Sequence, residues 1–293
     1  MEHQLFAAIL PLLLRLDQTP RRTRHTYSDA DIVAAYLWAV LHDRSQAWAC
    51  MRENWPLHLR RRPISKPPAL SERLRTPSVI VMLQKLFTEF CAPKTPGVLW
   101  LLDGKALPVS GISGDPQAVC GRGAGGFARG YKLHVIMTIS GEIAACEIHP
   151  MNVDERVAGL SMIENTTLQG YLTADANYDS NVLHEACDKT QNLQLITPRR
   201  CAKTAKSPGH RQQSLGRKRC LDLWSQPRHE FLEGLHKSRS EIERHFGQLV
   251  STTGGLGPLP AWVRGLLRVT RWVRAKLLLH ALRRRLGIRT YVA

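Results

Sequence analysis

The sequence predicts a mixed α/β protein: a sheet flanked by helices, with a helical region before it and a basic helix after it. Three observations carry this. Residues 1 to about 95 show helical spacing broken by prolines. From Gly97 the pattern changes to short β-type runs in the order strand, hairpin, helix, strand, helix, strand, which is the signature of a mixed sheet. Beyond Pro258 a long helical pattern carries Arg and Lys and no acidic residue. At about 150 residues per domain, 293 residues allow roughly two domains.

In the first region, Ser28-Asp29-Ala30-Asp31 caps a helical segment between Ser28 and Asn54, in which Ile32, Ala35, Tyr36, Ala39 and Val40 recur at helical spacing. A second helix is expected from Thr76 to Phe90. Between them runs a basic, proline-rich connector, Arg60-Arg61-Arg62-Pro63 through Pro67-Pro68, ending in Ser71-Glu72-Arg73-Leu74-Arg75. Two helices around a basic turn fit a helix-turn-helix DNA module and fit an ordinary helical lid equally well.

Val98 to Leu102 reads as a strand ending on Asp103. Lys132 to Ile139 pairs with Ile143 to Ile148 across Ser140-Gly141 as a hairpin. A helix from Asp154 to Asn165, a strand from Tyr171 to Asp175, a helix near Asn181 to Asp188 and a strand from Leu193 to Thr197 complete the alternation. Residues 199 to 219 hold eight Lys/Arg and no acid, so an exposed basic insertion is expected near 199–230. A helix from His236 to Val250 buries Ile242, Phe246, Leu249 and Val250. After Gly254-Gly255-Leu256-Gly257-Pro258, a last helix should run from Pro260 or Ala261 to about Leu286. The boundaries that follow are 1–95, 96–255 and 256–293.

With 41 Lys+Arg against 24 Asp+Glu the formal net charge is +17, which favours a polyanionic partner such as nucleic acid or an anionic membrane surface. The apolar stretch Leu5 to Leu14 is interrupted by Pro11 and too short for a membrane span of about 20 residues; no basic segment before it marks a secretory signal. The seven cysteines include no C-x-x-C pair and read as reduced thiols of a cytosolic protein.

Asp103 and Asp175 each end an apolar strand. A charge there is costly unless paired, hydrogen-bonded or bound to a metal, and two such carboxylates on neighbouring strands oppose each other's ionisation unless a cation neutralises them. Mg²⁺, which prefers carboxylate oxygen and water, is the expected cation. Either Asp alone is also an ordinary strand-end turn former. Asp154 reads as a helix cap, with a place near the metals still open, and His149 as structural. Gly121-Arg122-Gly123-Ala124-Gly125-Gly126 matches G-x-G-x-x-G, but a strand follows it and no helix does. It therefore reads as a flexible loop with Arg122, Arg129 and Lys132 available to phosphates. Lys132 shares a strand face with His134, for which solvent exposure and DNA contact stand about even. Arg264, Arg268 and Arg271 at i, i+4, i+7 form a basic stripe on the last helix.

Four strings now make a pattern: Leu102-Asp103-Gly104-Lys105, Gly130-Tyr131-Lys132-Leu133-His134, Asp175-Ala176-Asn177-Tyr178-Asp179-Ser180, and Arg239-Ser240-Glu241-Ile242-Glu243-Arg244-His245-Phe246. In this order they resemble the DDE transposases of bacterial insertion sequences, over about residues 97 to 250. The resemblance implies a ribonuclease-H-like core in which Asp103, Asp175 and Glu243 hold two Mg²⁺ ions, with Mn²⁺ able to substitute. Helical geometry alone does not choose between Glu241 and Glu243; the motif chooses Glu243, which otherwise would be only the partner of Arg239 in a surface ion pair. The implied activity is binding of the element's terminal inverted repeats followed by cleavage and strand transfer, by a cytoplasmic, nucleoid-associated homodimer on double-stranded DNA. Arg122, Arg129, Lys132, Arg199, Arg200, Arg239, Arg264, Arg268 and Arg271 are the expected DNA contacts. A catalytically inactive DNA-binding relative and a two-metal nuclease that cuts without joining are the other readings.

Overall fold

The computed structural model describes residues 2–17, 26–123, 125–190, 192–199, 212–225, 230–252 and 254–288. The chain begins with α1 (Glu2–Leu16), α2 (Asp29–Leu41), α3 (Gln46–Ala49), α4 (Pro67–Arg73) and α5 (Pro77–Cys91). The helical segment expected from Ser28 to Asn54 is thus divided. The capping box at Ser28 is present, with the Ser28 side chain and Asp31 bonding each other's backbone amides. The helix stops where Asp43 turns left-handed at φ 52°, and Ser45 caps a new turn. The proline-rich connector is itself partly helical, because Pro67 and Pro68 occupy the first turn of α4, where the missing N–H costs nothing.

The sheet comprises β1 (Leu99–Pro108), β2 (Val119–Gly123), β3 (Gly126–Thr138), β4 (Ile143–Pro150), β5 (Gly170–Thr173) and β6 (Leu193–Ile196). Helix α6 (Glu155–Glu164) follows β4, and α7 (Asn181–Lys189) links β5 to β6. Helices α8 (Leu215–Ser225), α9 (Glu230–Ser238) and α10 (Ser240–Ser251) come next, and α11 (Leu266–Arg285) closes the described chain. Strand order is β2-β3-β1-β5-β6, with β4 also on β3; β1–β3 and β3–β4 are antiparallel while β1–β5 and β5–β6 are parallel. This is the mixed α/β sheet flanked by helices that the sequence predicts.

Contacts divide the chain into two compact units, one of residues 1–91, 249–263 and 268–293, the other of residues 92–248 and 264–267. In the helical unit, α2 is buried around its whole circumference, and Trp38 stacks on Trp55 with Phe6 against its edge. The buried Lys276 ammonium of this unit is paired: it donates to Asp43 and to the Gly254 carbonyl, each at 2.7 Å.

In the sheet unit, strand alternation sends side chains to two faces. Leu102, Ile136, Leu172 and Leu195 pack with Met162 and Ile163 of α6 and Leu183, Ala186 and Cys187 of α7. On the other face Leu99, Tyr171 and Ile196 meet Leu223 and Trp224 of α8 and Leu232 and Leu235 of α9. The glycine-rich segment expected as a loop is instead a hairpin, with β2 and β3 paired from Val119↔Gly130 to Gly123↔Gly126. Its glycines admit close backbone approach: a Cβ on Gly121 would collide with the Met151 carbonyl, and one on Gly130 with that of Leu107. The helix expected from His236 to Val250 is broken at Arg239 into α9 and α10. The last helix starts at Leu266 rather than near Pro260, after Gly265 at φ +84°.

Gly121→Ala and Gly130→Ala should each destabilise the protein by about 1–3 kcal/mol. Gly125→Ala, with open space around it, should change stability by less than about 0.5 kcal/mol, all three read from urea unfolding midpoints.

Candidate active site

β1 and β5 run side by side in parallel register, Leu99↔Tyr171, Trp100↔Leu172 and Leu101↔Thr173, each pair 72 residues apart. Asp103 and Asp175 are separated by the same interval: Asp103 lies within β1 and Asp175 two residues beyond β5, near enough for the Asp175 charge to act on Asp103. Each has a local job. Asp103 accepts its neighbour's amide, Gly104 N–H, at 2.7 Å. Asp175 caps a 3-10 turn over Ala176–Tyr178 by accepting Asn177 N–H at 2.8 Å.

Burial pushes the Asp103 carboxyl up to about 6; the Gly104 N–H opposes the rise, the Asp175 charge adds to it, Arg239 opposes it and Glu155 adds to it. Burial with a like charge alongside is the circumstance in which a cation is most welcome.

The remaining residues of the Asp175 string each have a structural reason. Tyr178 is fully buried beneath the site and its hydroxyl lies 3.3 Å from His134 Nδ1. Burial holds the Tyr178 phenol well above its ordinary range, and burial lowers His134 to about 3, so both are neutral near pH 7. Asp179 receives both Nε and a terminal nitrogen of Arg217, each at 2.7 Å, and Ser180 caps α7.

Glu243 stands in the first turn of α10, whose inner side is set by buried Ile242 and Phe246 and by a 2.8 Å contact between His245 Nε2 and the Ile139 carbonyl. Arg239, at the break before α10, reaches Glu243 at 3.0 Å and Asp103 at 3.8 Å. It therefore links the glutamate to the strand aspartate through one guanidinium. Glu241 pairs instead with Arg244. The Glu243 side chain is 58% exposed, and among the described residues no group of three or more His, Cys, Asp or Glu is gathered closely enough to hold a metal. The donor set itself suits one: Asp103 and Asp175 offer hard oxygen ligands in a place where burial already disfavours bare negative charge.

The expected DNA contacts separate by environment. Arg122 is exposed on the β2–β3 hairpin, opposite Phe127, which is 83% exposed. Arg129 spends its guanidinium on the carbonyls of Ala118, Ser113 and Asp115. Lys132 is only 8% exposed and bonds Glu155 at 2.7 Å, and His134 beside it is fully buried, so this face is not the solvent face weighed from sequence. Arg199 is half-buried, and Arg200 lies outside the described residues, as does most of the basic insertion. Arg264 and Arg268 are exposed, whereas Arg271 donates to the Leu74 carbonyl at 2.7 Å. Because α11 begins at Leu266, Arg264 precedes the helix and the three arginines are not one helical stripe.

Of the two acids at the start of α6, Asp154 and Glu155, for which the sequence leaves a role near the metals open, Glu155 is the one that bears on Asp103. Asp154 caps α6, as expected, and thereby sets Glu155 as the first helical residue, where it pairs with Lys132 and bears on Asp103. His149, read as structural, bonds Glu147 at 2.8 Å. Among the described residues no cysteine forms a disulfide.

A family model for the transposase DDE domain matches residues 95–256. No curated protein and no solved structure matches the chain.

The raised carboxyl has a measurable consequence in metal-free protein. Its folded value of about 6 exceeds the ordinary 3.8, so the native state holds an extra proton between those limits and stability falls as pH rises through about 4 to 6. Asp103→Asn should remove this penalty and raise stability at pH 7.5 by up to about 3 kcal/mol in chelator, with no gain at pH 3.5. Denaturant unfolding at the two pH values reads it.

Proposed function

Because the chain belongs to the transposase DDE domain family, we propose that it is the transposase of a bacterial insertion sequence, binding the element's terminal inverted repeats and cutting and joining DNA there with the help of Mg²⁺. The observation that carries this is Asp103 on β1 with Asp175 just past its parallel neighbour β5, close enough for its charge to act on Asp103, and Glu243 linked to Asp103 through Arg239.

When bound, two divalent cations supply the positive charge that activates the attacking oxygen and stabilises the leaving one. Asp103 and Asp175 hold that charge from the sheet, and Glu243 completes the set from α10 once Arg239 releases it. Arg239 is then free to meet a phosphate oxygen. In the first step water attacks phosphorus at the element end, the P–O3′ bond breaks and a 3′-hydroxyl is left. In the second, that hydroxyl attacks a target phosphodiester, so one phosphodiester forms as one breaks, and no covalent protein intermediate is needed. Below the site, neutral Tyr178 and His134 and the Lys132–Glu155 pair keep the strand ends fixed, which matters because positioning carries most of the catalysis in phosphoryl transfer.

The net charge of +17 favours association with DNA, with exposed Arg122, Arg264 and Arg268 as phosphate contacts. A homodimer that pairs two element ends in the cytoplasm is the assembly this reading implies. No described helix is long and apolar enough to cross a membrane.

Asp103→Asn, Asp175→Asn and Glu243→Gln should each reduce strand transfer by at least about a thousandfold while leaving DNA affinity within about twofold, since each removes ligand charge at constant volume. Glu241→Gln should retain activity; the reverse pattern at the two glutamates would move the third acid to Glu241. Purified protein with DNA ends and Mg²⁺ distinguishes joined products from unjoined nicks, which indicate a nuclease, and from binding alone, which indicates an inactive relative.

Chelation should stop both cleavage and joining, and Mn²⁺ should restore them, because both ions accept octahedral oxygen coordination. Undiminished cleavage in excess chelator overturns the metal-dependent mechanism.

A further inference from the structure

The helical unit contains a cavity of about 270 Å³ that the catalytic reading does not use. Its walls include Tyr36 of α2, Gln46 of α3, Ser71 of α4, Trp262, and Arg268 and Arg271 of α11. Two of these carry buried donors left without an acceptor among the described residues. Tyr36 is 2% exposed; Arg271 is close enough to donate to its hydroxyl, but the O–H itself finds no acceptor, and Arg271, although one terminal nitrogen donates to Leu74, leaves its Nε unmatched. Orphaned donors of this kind are costly unless a ligand supplies acceptors. Burial raises the Tyr36 phenol above its ordinary range, so the group stays a donor.

The same walls hold cations beside aromatic faces. The Arg271 guanidinium lies over the Tyr36 ring, 5.5 Å from its centre, and Trp262 is 47% exposed, an unusual position for so large an apolar surface. Exposed indole, two guanidinium groups and unmatched donors together suit a flat, acceptor-rich ring with an anionic group attached to it. The volume lies just below the range for drug-sized ligands, which is room for one base with its sugar and too little for a base pair.

We propose that this cavity binds a single unpaired deoxynucleotide of the DNA substrate, its base stacked on Trp262 and accepting from Tyr36, its phosphate on Arg268 and Arg271. The proposal rests on the DNA-acting reading above and adds to it: the helical unit distinguishes an unpaired nucleotide from a paired one, which phosphate contacts along a duplex do not.

The test uses the full chain, in chelator so that no strand is cut, and two duplexes of one sequence, blunt or with a single 2-aminopurine overhang. The overhang should bind about tenfold tighter than the blunt duplex, with its 2-aminopurine emission quenched by stacking. Trp262→Ala should remove most of the preference and the quenching. Tyr36→Phe, which deletes only the hydroxyl, should reduce the preference by about fivefold. Blunt-duplex affinity serves as the control for folding. Equal affinity for both duplexes, or a preference that both variants retain, overturns the nucleotide site while leaving the transposase reading intact. Failure to bind either duplex overturns both.

Discussion

Two neighbouring carboxylates, Asp103 on β1 and Asp175 just past the parallel β5, are the constraint around which the sheet unit is organised. Asp103 and Asp175 come together because β1 and β5 pair at the interval that separates them in sequence, so a shift of that register would displace the turn that carries Asp175 relative to Asp103. Holding them there costs free energy, which is visible as the Asp103 carboxyl raised to about 6. The Gly104 amide and Arg239 offset part of that cost, while the Glu155 charge, paired with Lys132, adds to it. A site held in this state is prepared for added positive charge.

Arg239 occupies an informative place in that balance. It stands where the helical pattern breaks, between α9 and α10, and binds Glu243 and Asp103 together. At i,i+4 and on the surface an Arg–Glu pair contributes only a few tenths of a kcal/mol, so releasing Glu243 from it is cheap. The same cannot be said of Arg129, whose guanidinium is engaged by three backbone carbonyls. A surplus of positive charge therefore names the class of partner without naming the cations that meet it. That division is made by tertiary packing.

What sequence revealed and what it hid follow the range of the interactions. The alternation of strands and helices is local, and the mixed sheet was legible from it. The caps at Ser28, Asp154 and Ser180 were legible or close to it because they act within one turn. The Asp103 and Asp175 strings stood out because a charge after an apolar run is conspicuous, although β1 continues to Pro108, which makes Asp103 mid-strand, and β5 stops at Thr173, two residues before Asp175. The pairing of Lys132 with Glu155 was hidden, since it joins residues on different elements. The glycine-rich hairpin was misread as a loop because glycine suggests freedom, whereas Gly121 and Gly130 are there to let backbones approach. The starts of α10 and α11 were displaced for a related reason: the break at Arg239 and the positive φ of Gly265 are imposed by packing that periodicity does not encode.

The central claim, that the neighbouring aspartates form a seat for divalent cations, is tested most directly by Mn²⁺ titration followed by electron paramagnetic resonance on DNA-free protein. The account predicts that saturable Mn²⁺ binding is present in the wild type and is competed by Mg²⁺. It should be weakened at least about tenfold in Asp103→Asn and in Asp175→Asn, each of which removes a charged oxygen ligand. Wild-type Mn²⁺ affinity in the Asp103→Asn/Asp175→Asn double variant would contradict it.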